Sequence, residues 1–191
     1  MGHQKRIVLV RHAETEWSRS GRHTSFTDIP LTETGEDAAR GLVVPLAQWD
    51  FSLVLSSPLQ RARRTAELAG LGEQVVEEPG LVEWNYGEYE GITTAEIRRS
   101  VPGWTVFSDV CPGGESATEV AARVDAVLER AREADGDVAL FAHGHVGRVV
   151  VCRWTGLEAQ QGRHFVLDPG TITVLGQERE TPAILRLNAP S

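Results

Sequence analysis

Arg11-His12 closes the apolar run Ile7-Val8-Leu9-Val10, and far downstream Val138-Ala139-Leu140-Phe141-Ala142 breaks the same way into His143-Gly144-His145. In both places titratable side chains stand where a buried strand reaches solvent, and a rigid strand end holds reacting groups in fixed geometry. Arg61 falls near the start of a predicted helix, where unpaired N–H groups and the helix dipole favour an anion, and Glu83 lies in an acidic, aromatic loop. Two arginines, two imidazoles and a carboxylate form a set suited to phosphate. Guanidinium forks grip nonbridging oxygens, an imidazole can attack phosphorus, and a carboxyl can protonate the leaving alkoxide.

Taken singly, each element has a plainer reading. A strand-end Arg-His pair is commonly a satisfied polar edge, and Arg63 and Arg64 read as a solvated helix face. At least two of Glu83, Glu88 and Glu90 read as surface charge. His143-Gly144-His145 has the look of metal ligands, yet no HExxH or carboxylate cluster nearby completes a coordination set. The conjunction is what favours chemistry.

The elements that must position these groups follow from hydrophobic period and caps. Strands are expected over residues 6–10, 51–55, 74–78 and 137–142, and in the tail over 163–167, 171–175 and 183–187. Helices are expected from an N-cap at Thr32 to about Trp49, over 59–69, from the capping box Thr93-Thr94-Ala95-Glu96 to about Ser100, over 115–134 and over 146–154. Residues 13–30, 81–91 and 101–114 read as loops. Apolar strands alternating with helices predict an α/β fold: three layers, αβα, with a mostly parallel sheet covered on both faces. In such sheets the ligand crevice lies at the carboxyl ends of the strands, where Arg11-His12 and His143 both fall.

The 191 residues fit one domain spanning 1–191, since a chain this long buries roughly 70% of its unfolded surface. The hydrophobic fraction of 41% and charged fraction of 24% are ordinary for a globular protein, and no apolar stretch approaches the ~18 residues of a membrane span. The opening Met1-Gly2-His3-Gln4-Lys5-Arg6 precedes an apolar stretch too short for a signal-peptide core, so a cytoplasmic location is expected. Cys111 and Cys152 lack metal or disulfide spacing and read as buried filler. The net charge of −8 argues against nonspecific nucleic-acid binding, so an anionic ligand must be met by a local cationic cluster.

The residues reached above resemble a family. Leu9-Val10-Arg11-His12-Ala13-Glu14-Thr15-Glu16-Trp17 looks like the signature of the histidine phosphatases, the phosphoglycerate mutase-like superfamily. Ser57-Pro58-Leu59-Gln60-Arg61-Ala62 resembles that family's second arginine motif, and Glu83-Trp84-Asn85-Tyr86-Gly87 its acid/base loop. Gly114-Glu115-Ser116 resembles its pre-helix turn, and Phe141-Ala142-His143-Gly144-His145 its second histidine motif. The resemblance implies a covalent phosphoryl transfer: His12 as nucleophile, Arg11, Arg61 and His143 around the phosphoryl oxygens, and Glu83 as proton donor. It implies no metal and no cofactor. For attack, His12 must be neutral, with its other ring nitrogen donating to a fixed acceptor such as a backbone carbonyl. Ala13 departs from the glycine usual at that position, and its methyl and conformational restriction must be accommodated.

Within the superfamily, Gly21-Arg22-His23-Thr24 resembles a substrate-contacting loop, with Ser18 as a further phosphate ligand and His145 and Arg148 completing the candidate substrate site. With Leu167-Asp168-Pro169-Gly170-Thr171, these segments look most like a subgroup holding sedoheptulose-bisphosphatase and acid phosphatase members. The implied substrate is a small phosphorylated metabolite, a sugar phosphate or bisphosphate, with Arg22 and Arg148 on its distal part. His23 stands where sugar-bisphosphatase relatives can have tyrosine. Between the acid/base loop and the pre-helix turn only Arg98-Arg99 supplies basic charge, so the carboxylate-binding residues of mutases look absent. Trp84, Tyr86, Trp104 and Phe107 are read as a pocket wall suited to a less charged substrate body, with core packing as the equal alternative. A phosphoglycerate mutase and a noncatalytic phospho-ligand module stay open as alternatives, and a homodimer paired through the C-terminal strands stays open beside a monomer.

Overall fold

A strand buried on both faces needs no polar alternation, and Ile7–Arg11 (β1) has none: Ile7, Val8, Leu9 and Val10 are all fully buried. The computed structural model describes residues 5–190; part of the opening read above for a leader, residues 1–4, lies outside them. β1 is followed by helices Glu16–Ser20 (α1), Glu33–Gly41 (α2) and Val43–Leu46 (α3), then strand Phe51–Ser56 (β2), helix Gln60–Leu68 (α4) and strand Val75–Glu77 (β3). Helices Thr94–Ser100 (α5) and Ala117–Glu133 (α6) lead to strand Asp137–Ala142 (β4) and helix Gly144–Trp154 (α7). Strands Ile172–Glu178 (β5) and Thr181–Ala189 (β6) close the chain.

All of these strands join one six-stranded sheet in the order β3-β2-β4-β1-β5-β6. The first four are parallel to one another, and β5 and β6 add antiparallel neighbours on one side. Ile7, Leu9, Leu55 and Leu140 face a layer built from α6 and α7, including Val120, Val124, Leu128, Val149 and Val150. Val8, Val10, Val54 and Phe141 face the opposite layer, with Leu42, Leu46 and Ala66. This is the expected helix-sheet-helix sandwich. Among the described residues no helix is long and apolar enough to cross a membrane.

Several boundaries move, each for a local reason. The helix expected from Thr32 to about Trp49 divides into α2 and α3. Pro45 has no N–H for Gly41 and its ring crowds that carbonyl, so one continuous helix cannot run through. The expected loop 13–30 contains α1, whose capping box pairs Thr15 with Ser18 rather than with the more usual Glu or Gln. The strand expected at 163–167 does not form: Ala159–His164 is a 3-10 turn. The ladder position beside β1 is already filled by β5, and the Leu167 carbonyl accepts instead from the Arg11 guanidinium. α7 begins at Gly144, two residues earlier than its apolar pattern, with His143 as N-cap. Cys111 and Cys152 are free and buried, and burial pushes each thiol up to about 11.

Leu140 sits fully buried at the centre of the sheet. Leu140→Ala is expected to lower unfolding free energy by about 2–5 kcal/mol, read as a reduced denaturant midpoint at unchanged m value.

Candidate active site

The site begins with strand register. Arg11 lies opposite Ala142 in the parallel β1–β4 ladder, and His12 continues it by donating its N–H to the Ala142 carbonyl at 2.9 Å. His12 and His143 therefore leave the sheet side by side, with ring centroids 5.1 Å apart. On the other flank Ser57 donates its N–H to the Phe141 carbonyl at 2.9 Å, which brings its hydroxyl within 2.8 Å of His143 Nε2. Arg61 Nε donates to His143 Nδ1 at 3.2 Å. An accepting Nδ1 leaves the ring proton on Nε2, so His143 donates to Ser57 Oγ. Both ring nitrogens are engaged.

His12 is arranged differently. Its Nδ1 lies 2.7 Å from the Ala13 carbonyl, a contact that requires the proton on Nδ1 and leaves Nε2 bare. Burial is the main reason the ring resists protonation, with the Arg61 and Arg11 guanidinium groups adding to it, and together they hold His12 well below the usual histidine range. The Ala13 carbonyl pulls the other way and is outweighed. Ala13 itself is not among the described residues with positive φ other than glycine. Its N–H donates to Thr65 Oγ1 at 3.1 Å and its methyl is buried, so the cradle takes the extra carbon without strain.

Glu83 is fixed by the start of α7. The first N–H groups of a helix have no partner within it. Here the Glu83 carboxylate takes two of them: Oε2 accepts from His145 N at 2.9 Å and Oε1 from Val146 N at 2.8 Å, while Oε1 also accepts from Trp84 N at 2.9 Å. One lone-pair site on Oε2 remains for a proton or a substrate. The loop carrying Glu83 is itself buttressed by Glu115, whose carbonyl accepts from Trp84 Nε1 at 2.9 Å and whose carboxylate accepts from Asn85 N at 2.8 Å. Gly87 is obligatory in that loop: its φ is +55° and a Cβ would lie 2.0 Å from the Pro112 carbonyl oxygen. Gly144 serves the other side, since a Cβ there would press to 3.3 Å of Arg11 Cζ.

These groups open onto a cavity whose wall includes Arg11, His12, Glu83 and Tyr86. Every residue expected to contact substrate lies on that wall: Ser18, Arg22, His23, Thr24, His145 and Arg148. Arg61 and His143 lie behind it, fully buried. Arg61 spends its Nη donors on the carbonyls of Thr24 at 3.1 Å, Ser25 at 2.9 Å and Thr27 at 3.1 Å. It thus holds the substrate loop from one side. Glu90 holds it from the other, accepting from Ser25 N at 2.8 Å and Thr27 N at 3.1 Å. Glu90 is therefore not the free surface charge its composition implied, whereas Arg63 and Arg64 pair with Glu77 and Glu36 as a solvated face should.

Other expectations are corrected. The Ser18 hydroxyl spends its proton on the Thr15 carbonyl at 3.1 Å, so it faces the cavity as an acceptor. Of the aromatic residues read as a wall, only Tyr86 lines this cavity; Trp84 is core, and Trp104 and Phe107 border a neighbouring hollow. The Tyr86 hydroxyl lies 2.5 Å from His145 Nδ1, a hydrogen bond with no signal in the sequence because tertiary packing alone brings the two together. Thr94, also unforeseen, lines the cavity with its hydroxyl 3.3 Å from His23 Nε2. Arg11 Nε and Arg148 Nε are buried without a protein partner, donors left for an oxyanion. Among the described residues no group of three or more His, Cys, Asp or Glu side chains is placed to hold a metal ion.

Residues 7–190 match the sequence profile described as Histidine phosphatase superfamily (branch 1). An acid phosphatase of Mycobacterium tuberculosis is 42% identical over 178 residues, covering 91% of this chain and 87% of the relative. Sedoheptulose 1,7-bisphosphatase of Saccharomyces cerevisiae is 34% identical over 189 residues, covering 82% and 69%. A solved structure from Mycobacterium tuberculosis superposes with a TM-score of 0.91 at 38% identity, over 98% of this chain and 99% of the other.

His12, His23, His143 and His145 are all held below the ordinary histidine range, in each case chiefly by burial. The unfolded chain binds protons below about pH 6.5 that these folded residues do not, so their contribution to stability is present above that pH and lost as pH falls. Between pH 6.5 and 5 the unfolding free energy should drop by up to about 1.4 kcal/mol per pH unit for each such histidine. Denaturant titrations across this range check it, and a flat profile would refute the buried neutral cluster.

Proposed function

The chain belongs to the histidine phosphatase superfamily, and from that premise we propose that it is a phosphatase hydrolysing a small phosphorylated metabolite of the cytoplasm, a sugar phosphate or bisphosphate, by way of a phosphohistidine on His12. The observation that carries the reading is the bare Nε2 of a neutral His12, locked in that tautomer by the Ala13 carbonyl, on one cavity wall with Arg11 and Glu83. The names of the acid phosphatase and sedoheptulose-bisphosphatase relatives support the substrate class.

The Nε2 lone pair attacks phosphorus as the ester P–O bond breaks, and Glu83, protonated for this step, gives its proton to the departing alkoxide oxygen. Arg11 takes nonbridging oxygens with its unpaired donors. Arg61 adds positive charge from behind, and His143 offers its Nε2–H by exchanging Ser57 for a phosphoryl oxygen. Water then attacks the phosphohistidine, Glu83 accepts its proton, the P–N bond breaks, and phosphate leaves with His12 neutral again. Guanidinium groups fixed before the reaction supply the charge that a divalent ion supplies in other phosphoryl-transfer sites, so the reading is metal-independent.

A panel of sugar phosphates, sugar bisphosphates and phosphoglycerates, assayed for released phosphate, is expected to show hydrolysis of the sugar esters. Isomerised phosphoglycerate that keeps its phosphate, as the sole product, would instead make the protein a mutase. His12→Ala should lower kcat by on the order of 10^3 or more, with the phosphoryl group found on His12 in quenched wild-type protein. Turnover surviving that substitution would remove His12 from the nucleophile role.

The pH dependence has a defined sign. Because burial and the neighbouring guanidinium groups keep His12 neutral well below the ordinary histidine range, the acid limb of kcat/KM is displaced downward from that range. An acid limb of kcat/KM lying in the ordinary histidine range would contradict a buried, neutral His12 nucleophile.

A further inference from the structure

Among the described residues, Arg179 and Asn188 alone outside glycine have positive φ. Arg179 lies in the turn joining β5 to β6, where a left-handed residue is ordinary, whereas Asn188, at φ +52°, lies within β6 itself. The ladder shows why. Ile172 pairs with Ala189 and Val174 with Arg186, so Leu187 and Asn188 stand against the single residue Thr173. This is a β-bulge with a left-handed member, and asparagine is among the few side chains that accept that backbone. A bulge interrupts the ladder and re-aims a side chain.

The Asn188 amide is aimed at the turn 168–171. Its Oδ1 accepts from Asp168 N at 2.6 Å and from Thr171 Oγ1 at 2.8 Å, and its Nδ2 donates to Asp168 Oδ2 at 2.8 Å. Asn188 N donates to Thr173 Oγ1 at 3.1 Å, which fixes the bulge on β5. One side chain thus grips both ends of a segment outside any strand or helix. That segment in turn meets Arg11 and His12. The Thr171 carbonyl accepts from Arg11 N at 3.3 Å, and Gly170 N donates to the Arg11 and His12 carbonyls at 3.2 Å. The Leu167 carbonyl, next to the gripped Asp168, accepts from Arg11 Nη1. Among the described residues it is the only acceptor that the Arg11 guanidinium reaches, and Arg11 Nε is left without a partner. Burial is the largest influence on the pKa values of Arg11 and Arg148 and lowers both; Asp168, whose carboxylate Asn188 holds, is among the charges that oppose it.

We propose that Asn188, which is not on the cavity wall, is a positioning residue for the phosphoryl transfer: the bulge in β6 turns its amide onto the 168–171 turn, and the Leu167 carbonyl so fixed aims the Arg11 guanidinium at the phosphoryl oxygens. The inference deepens the phosphatase reading and rests on it. A guanidinium misplaced by about 1 Å can cost up to about 10^2 in rate, so a strut outside the cavity is able to govern turnover.

A double-mutant cycle between Asn188→Gly and Arg11→Lys tests it. Glycine keeps the left-handed backbone and removes the amide, and lysine keeps the charge of Arg11 and removes the fork that the Leu167 carbonyl directs. Hydrolysis of the best ester in the sugar phosphate panel is followed well below the unfolding temperatures of all four proteins. Asn188→Gly is expected to lower kcat/KM about tenfold in the wild type and less than about twofold in Arg11→Lys, with the wild-type loss in kcat, because Arg11 meets charge that grows as the P–O bond breaks. A loss through destabilisation would carry into both backgrounds by the same factor. An equal loss in both, a loss confined to KM, or none in the wild type overturns the proposal. If the wild type hydrolyses no ester, the phosphatase reading fails, and the same cycle is read by calorimetry with orthovanadate, which takes up the five-coordinate geometry of the transition state. Affinity weakened about tenfold by Asn188→Gly in the wild type alone supports the strut. Equal weakening in both backgrounds, no weakening, or no binding of vanadate by the wild type refutes it.

Discussion

The parallel register of β1 on β4 is the constraint on which the rest of the site depends. Both strands are apolar on both faces, so inside/outside polarity does not pin one against the other. Their ends do. Arg6 N donates to Asp137 Oδ1 at 2.8 Å where the pair begins, and His12 N reaches the Ala142 carbonyl where it ends. A slip of one residue would reverse every side chain on β1 and carry Arg11 and His12 to opposite faces. With the register held, the two imidazoles emerge together, and the next strand over delivers Ser57 to His143.

One helix terminus then organises the groups that the strands do not carry. Beginning α7 at Gly144 rather than deeper in its apolar stretch leaves the His145 and Val146 N–H groups free to fix Glu83, a residue far away in sequence. The same glycine lets Arg11 pack against the helix start, and one turn on Arg148 faces the cavity. Arg11, Glu83 and Arg148 are thus referred to one rigid origin, which restricts how far any of them can drift from the others.

The loop over the site is held by opposed charges on its backbone. Arg61 takes three of its carbonyls and Glu90 two of its N–H groups, so a segment without regular structure is bound on both kinds of polar group. Burying a guanidinium is costly, and burial lowers the Arg61 pKa; the hydrogen bonds that offset this cost are the ones that shape the loop. Position behind His12 adds a second effect, since the Arg61 charge is among the causes that keep that imidazole neutral.

The layers of the fold and the residue types gathered at the candidate site were legible in local pattern alone. Ile7–Val10 and Val138–Ala142 are unbroken apolar runs that only a doubly covered sheet accommodates, and the caps at Thr32 and Thr93 are local hydrogen-bonding devices legible from neighbours alone. The residues expected around the substrate do share one cavity, because motifs at strand ends converge wherever parallel strands end together. What local pattern does not encode, tertiary structure decided. Residues 163–167 carry a strand pattern but find the edge of β1 occupied by β5, and the Ser18 hydroxyl donates to the Thr15 carbonyl within a cap. Trp84 disappears into the core, and Glu90 is recruited to a loop. Which acceptor a donor meets is a property of segments brought together from across the chain, and spacing along the chain carries no record of it.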